Sequence, residues 1–134
     1  MMKTIRYVPM RRGQMEKYLD MAKRENTYPI IYIALQSGLR QSELISLPWA
    51  ALDFPERAIR GKYHASEMDE EAERLLRIEA DTHPNSTTVF LHPNTGKPYA
   101  RHQLYYLHRK LCDLARLSDV SFLELQLAWR MEHP

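Results

Sequence analysis

The chain has 134 residues, 44% of them hydrophobic and 27% charged, the size and make-up of one globular domain with a core of its own. No apolar run approaches the length of a membrane span, the N-terminus lacks the hydrophobic centre of a signal peptide, and a single cysteine, Cys112, excludes a disulfide framework and points to a reducing, cytoplasmic setting. The net charge of +2 is too small to imply a polyanionic partner, but it is unevenly spread: residues 1–40 carry +5, residues 41–81 carry −5 and residues 82–134 carry +2, so basic ends frame an acidic middle that can turn away from a phosphate-bearing partner.

Met15, Leu19 and Ala22 recur at helical spacing and predict a helix over residues 13–26, with Lys17, Lys23 and Arg24 on or beside it and Arg11 and Arg12 just ahead. Pro29 opens a second helix, PIIYIALQS, apolar nearly all round and stopped by Gly38, so it is expected at the centre of the core. Leu44, Ile45 and Leu47 place a short amphipathic helix after Arg40, ending at Pro48, with residues 49–54 leading into a loop. Arg40 then lies in the first turn, where a cation opposes the helix dipole. Its position is unexplained by helix stability.

Residues 57–63 read as one strand or a clipped hairpin. Ser66 with Asp69 resembles a capping box ahead of an acidic helix reaching residue 80, and TVFLH reads as a brief strand followed by PNTG turn chemistry. Leu104, Leu107, Leu111 and Leu114 are spaced for a helix over residues 100–116, whose Tyr/Leu stripe reads as core rather than a base-stacking platform. Ser121 with Glu124 forms a second capping box ahead of FLELQLAWRM. The class is therefore mainly α with a small β-sheet, in a single domain over residues 1–134. Six histidines occur without HxxxH or HxH spacing, so no metal site is expected, and the four scattered glycines make no phosphate loop. No cofactor is implied.

The stretch SGLRQSELISLPWAALDF, residues 37–54, closely resembles the first arginine box of the tyrosine recombinase (phage integrase) catalytic domain, where a small residue, Gly, Leu and Arg precede a helix carrying Glu and Leu, then Trp and an Asp-Phe pair. The downstream order agrees: an acidic helix, TVFLHPNTGKPY, a long helix, and VSFLELQLAW at the second box. The resemblance implies the integrase catalytic-domain fold, lacking its final helices and without an N-terminal core-binding domain, and a prophage or mobile-element origin. In that family two arginines grip the scissile phosphate, a hairpin lysine and a histidine assist proton transfer, and a tyrosine near the C-terminus attacks the phosphorus. Guanidiniums suit the task because they offer paired hydrogen bonds to phosphate oxygens and stabilise charge in the transition state.

Carried over residue by residue, the resemblance assigns the first arginine to Arg40. The second box, usually Phe-His-Asp-Leu-Arg-His-Thr-Trp, stands here as Phe122 to Trp129 with Leu123 for histidine, Gln126 for arginine and Leu127 for the next histidine. Lys62 is the only lysine between Asp53 and the acidic helix, and only eight residues follow Gln126, too few for the family's nucleophile. Arg130, four residues after Gln126, shares its helix face. The implied protein is related to DNA integration and site-specific recombination but is catalytically inactive, with Arg40 and Lys62 as vestigial catalytic residues. It would retain weak, sequence-independent binding to DNA phosphates through Arg40 and Lys62, helped by Arg11, Arg12, Lys23 and Arg24. The alternatives are a protein-interaction module that self-associates or docks to an intact recombinase, and a non-functional prophage remnant. The leucines at polar catalytic positions are expected to refill the site as core, because buried polar groups without a substrate are costly.

Overall fold

The computed structural model describes residues 13–117 and 120–133; Arg11 and Arg12 lie outside them. The helices are α1 (Gln14–Arg24), α2 (Tyr28–Ser37), α3 (Gln41–Ile45), α4 (Glu70–Thr82), α5 (Arg101–Leu114) and α6 (Phe122–Glu132). Four of the other helices pack on α2, and α5 packs on α1 and α3. The α2 residues Ile30, Ile31, Tyr32, Ile33, Ala34, Leu35 and Ser37 are all buried, and α1, α3, α4 and α6 lie against that helix. A helix with so little polar surface can exist only when surrounded, as its all-round hydrophobicity predicts. Gly38 ends it in the left-handed region, φ 71°, donating its N–H to Ala34 O at 3.1 Å, a conformation glycine adopts without a Cβ clash.

Between α3 and α4 the chain builds a small antiparallel sheet of β1 (Leu52–Asp53), β2 (Ala58–Arg60) and β3 (Ala65–Glu67), in that spatial order. Leu52 pairs with Ile59, and Ile59 with Ser66. Residues 57–63 are thus part of a hairpin, the second of the two expected alternatives, and the stretch after Pro48 forms a 3-10 turn, Trp49–Ala51, running into β1. Ile59, fully buried, is the side chain that seats the sheet on the core.

Ser66 does not cap α4. It is paired in β3, and Asp69 takes the N-cap role, its Oδ1 accepting from Ala72 N–H at 2.7 Å. An Asp one residue before the helix needs no serine partner to satisfy the first-turn donors. TVFLH forms no strand; Leu91 makes one isolated bridge to Pro98, while Val89 and Phe90 are buried as core plugs. The capping box of α6 is present in both directions, Ser121 Oγ accepting from Glu124 N–H and Glu124 Oε1 from Ser121 N–H, each at 3.1 Å.

A buried polar cluster joins α1, α5 and the approach to α6. His108 Nε2 lies 2.8 Å from Val120 O and must donate to it, which leaves Nδ1 to accept from Tyr18 O–H at 2.9 Å. Cys112 Sγ sits 3.4 Å from the same ring, and burial pushes its thiol up to about 11. It is a packed thiol, as the leucine-rich pattern around it suggests. Burial lowers the His108 pKa below its ordinary value, so the folded protein holds a neutral imidazole. The unfolded chain starts to bind this proton near pH 6.5, whereas the fold resists until lower pH; stability is therefore complete above about 6.5 and falls as the solution is acidified. Urea denaturation between pH 7.5 and 5 is expected to show a loss steepening toward at most ~1.4 kcal/mol per pH unit from this residue. The His108→Gln variant should be less stable at pH 7.5 yet show a shallower slope.

Candidate nucleic-acid interface

The carboxyl end of α2 and the tip of the β2–β3 hairpin meet at one place. Gly61, first residue of the hairpin turn, is pressed so close that a Cβ there would lie 2.6 Å from Leu39 Cδ2 and 2.8 Å from His64 O. Only glycine allows that approach. Glu43 then ties the two segments through one carboxylate: Oε1 accepts from Arg40 N–H at 3.3 Å and Oε2 from Lys62 N–H at 2.8 Å. His64 Nε2 donates to Ser37 O at 3.0 Å from the far side of the turn.

Arg40 is the N-cap residue of α3 with an extended backbone, and its side chain is exposed. Its Cζ stands 4.1 Å from the centre of the Tyr63 ring, and Lys62 Nζ stands 5.4 Å from the same ring. The structure thus brings Arg40 and Lys62 together over one aromatic side chain. Among the described residues neither forms an ion pair, whereas Arg57, Arg60, Arg74 and Arg77 are tied to Glu73, Asp53, Glu71 and Glu73. Asp53, Glu71 and Glu73 of the acidic middle third pair with its own arginines, and Arg40 and Lys62 at the hairpin tip keep their side chains out of ion pairs among the described residues.

Lys23 and Arg24 are exposed at the opposite end of α2, about 15 Å away along the helix axis. Lys23 packs over Tyr28, 4.7 Å from its centre, beside the Tyr28–Glu71 hydrogen bond of 2.8 Å. The fold does not gather them with Arg40.

Gln126 is buried, and its Nε2 donates to both Ala34 O and Leu39 O at 2.8 Å. The residue standing at the position of the family's second arginine thus commits its amide nitrogen to main-chain carbonyls at the α2 terminus. This residue fastens α6 to the segment that carries Arg40.

Leu123 and Leu127 do not refill a core. They are 49% and 37% exposed, because α6 turns Phe122, Leu125 and Ala128 inward and leaves positions 123 and 127 on the other face. They line an open groove of about 790 Å³ with Gly38, His64, Ser66 and Arg130. Gln36 Oε1 and Ser66 Oγ on its wall are buried and have no hydrogen-bond partner among the described residues, so the groove has the lining of a surface cleft and not of an apolar interior. No three His, Cys, Asp or Glu side chains converge as metal ligands among the described residues, and no described helix is long and apolar enough to cross a membrane.

Sequence reasoning missed the exposed face of α5. Leu104 and Leu111 are core, as the stripe predicts, but Leu114, expected with them, is 42% exposed, and Tyr105 and Tyr106 are 48% and 66% exposed. With Arg101 and His102 they border a shallow depression shared with Gln41, the residue after Arg40. Glu43, Tyr63 and His64 were also overlooked, although Glu43 at the third helical position after Arg40 is the spacing of a capping box without its usual Ser or Thr.

Removing the Gln126 amide leaves the Leu39 carbonyl oxygen without its donor, while Ala34 O keeps the Gly38 N–H; one unpartnered buried carbonyl costs about 1–3 kcal/mol. Gln126→Leu, close in volume, should lower the free energy of unfolding by that amount in urea titration without changing the far-ultraviolet circular dichroism.

No protein-family model matches the chain, and no curated protein matches it. Solved structures do. It is similar to the crystal structure of XerA recombinase, with a TM-score of 0.77 over 97% of this chain at 16% sequence identity. It is also similar to the Tn1549 transposon integrase in complex with circular intermediate DNA, with a TM-score of 0.74 over 94% of this chain at 20% identity. The chain spans about half the length of each, 51% and 52%. Six helices with α2 buried among them, the three-stranded sheet and these superpositions together give the conclusion that the chain has a tyrosine recombinase catalytic-domain-like fold.

Proposed function

We propose that the protein binds DNA non-covalently through phosphate contacts at the hairpin tip and carries out no strand exchange. The observation that carries this reading is the pair of cations, Arg40 and Lys62, held together by Glu43 and free of ion pairs among the described residues. A guanidinium and an ammonium without carboxylate partners are suited to phosphate oxygens. The integrase structure it resembles was determined in complex with DNA, and the basic and aromatic face of α5 adjoins Arg40 through Gln41. Inactivity is supported by chemistry. Gln126 has no charge to place on a transition-state phosphate, and Leu123 has no proton to move. Loss of one such donor lowers rates by about 10² to 10³, and here two groups are changed together. Backbone contacts carry little base information, so binding is expected to be weak and indifferent to sequence.

A second reading, association with another copy of this chain or with an intact recombinase, is favoured by the exposed Leu123, Leu127 and Met131 along one face of α6.

Fluorescence anisotropy of a labelled duplex across a salt series tests the first reading. The protein should bind at low salt and lose affinity steeply as salt rises, and Arg40→Ala should weaken binding about tenfold. The substitution should also reduce the log–log salt slope by about 0.9, the loss of one phosphate contact. No binding at low salt would set this reading aside in favour of the second.

A further inference from the structure

We propose that Tyr63 is a positioning residue for Arg40: its ring is an aromatic shelf that holds the guanidinium ready for a DNA phosphate before the DNA arrives. The proposal deepens the DNA-binding reading and rests on it.

Three observations carry it. Tyr63 is 57% exposed at the tip of a hairpin, so the core does not require an aromatic there. Its ring partners are cations: Arg40 at 4.1 Å and Lys62 at 5.4 Å, both within the range at which the face of a ring attracts positive charge. Among the described residues the other exposed tyrosines of comparable accessibility, Tyr105 and Tyr106, lean on each other instead, with centres 5.3 Å apart. Finally, the backbone beneath both cations is fixed by the one Glu43 carboxylate, so the shelf and the residues on it share an anchor.

The physical gain is preorganisation. An arginine side chain has many rotamers, and ordering it on binding opposes association. A guanidinium resting on a ring has lost part of that freedom already, and it keeps N–H donors for paired bonds to phosphate oxygens. The π face does this work, so the phenolic hydroxyl is dispensable.

The experiment is a double-mutant cycle read by anisotropy on one labelled duplex at one low salt concentration, with Tyr63→Leu, Tyr63→Phe, Arg40→Ala and the Arg40→Ala/Tyr63→Leu pair. Tyr63→Gln replaces the leucine variant in case the latter does not fold by circular dichroism. Tyr63→Leu should weaken binding about two- to fivefold, the worth of one exposed cation–π contact, and Tyr63→Phe should bind as the parent does. In the Arg40→Ala background Tyr63→Leu should have no further effect, a coupling that a merely structural tyrosine would not produce. Parent-like binding by Tyr63→Leu, or a loss that simply adds to that of Arg40→Ala, overturns the proposal while leaving the DNA-binding reading intact. Absence of binding by the parent protein overturns both.

Discussion

The site depends on how the buried helix α2 is allowed to end. A helix with apolar residues on every side must lie inside the molecule, yet its last carbonyls still need donors. Gly38 supplies one through its own N–H, Gln126 reaches across from α6 to Ala34 O and Leu39 O, and His64 comes in from the hairpin to Ser37 O. Two separate segments, α6 and the hairpin, are thereby drawn to one helix end. The hairpin and α6 owe their placement to the hydrogen-bonding needs of that terminus, and Gly61 is the point where a side chain would have kept the hairpin away.

The same junction explains how charge is distributed. Glu43 is half-buried and uses its two oxygens on backbone N–H groups, so it organises the neighbourhood of Arg40 without pairing with the guanidinium. Carboxylates of the sheet and α4 pair instead with Arg57, Arg60, Arg74 and Arg77. Exposed pairs of this kind add little stability, but they leave Arg40 and Lys62 as local sources of unbalanced positive potential. A net charge of +2 therefore conceals a local asymmetry that matters more to a polyanion than the total does.

Much of this was legible in the residues. The all-round apolar pattern of α2, its stop at Gly38, the capped start of α6 and the buried Cys112 follow from spacing and local chemistry, and the arginine-box resemblance carried the fold. The hairpin was legible only as one of two alternatives, a single strand or a clipped hairpin, because three-residue strands hold too few residues to show alternation. The fate of position 126 was hidden for a different reason. A glutamine in an arginine's place reads as a weakened ligand, but only the three-dimensional approach of α6 to α2 reveals two carbonyls waiting for its amide. Leu123 and Leu127 misled because hydrophobicity alone does not say which face of a helix is covered. Lys23 and Arg24 were grouped with Arg40 by charge, and α2 separates them by its length.

On the proposed reading, DNA is held here by salt-sensitive contacts and not by a covalent bond. The most direct measurement runs one mixture of the protein and a nicked, labelled recombination-type duplex on a native gel and, in parallel, on a denaturing gel containing SDS. The account predicts a shifted band on the native gel that disappears entirely under denaturing conditions. A labelled adduct that survives SDS would show a protein–DNA bond and would contradict it.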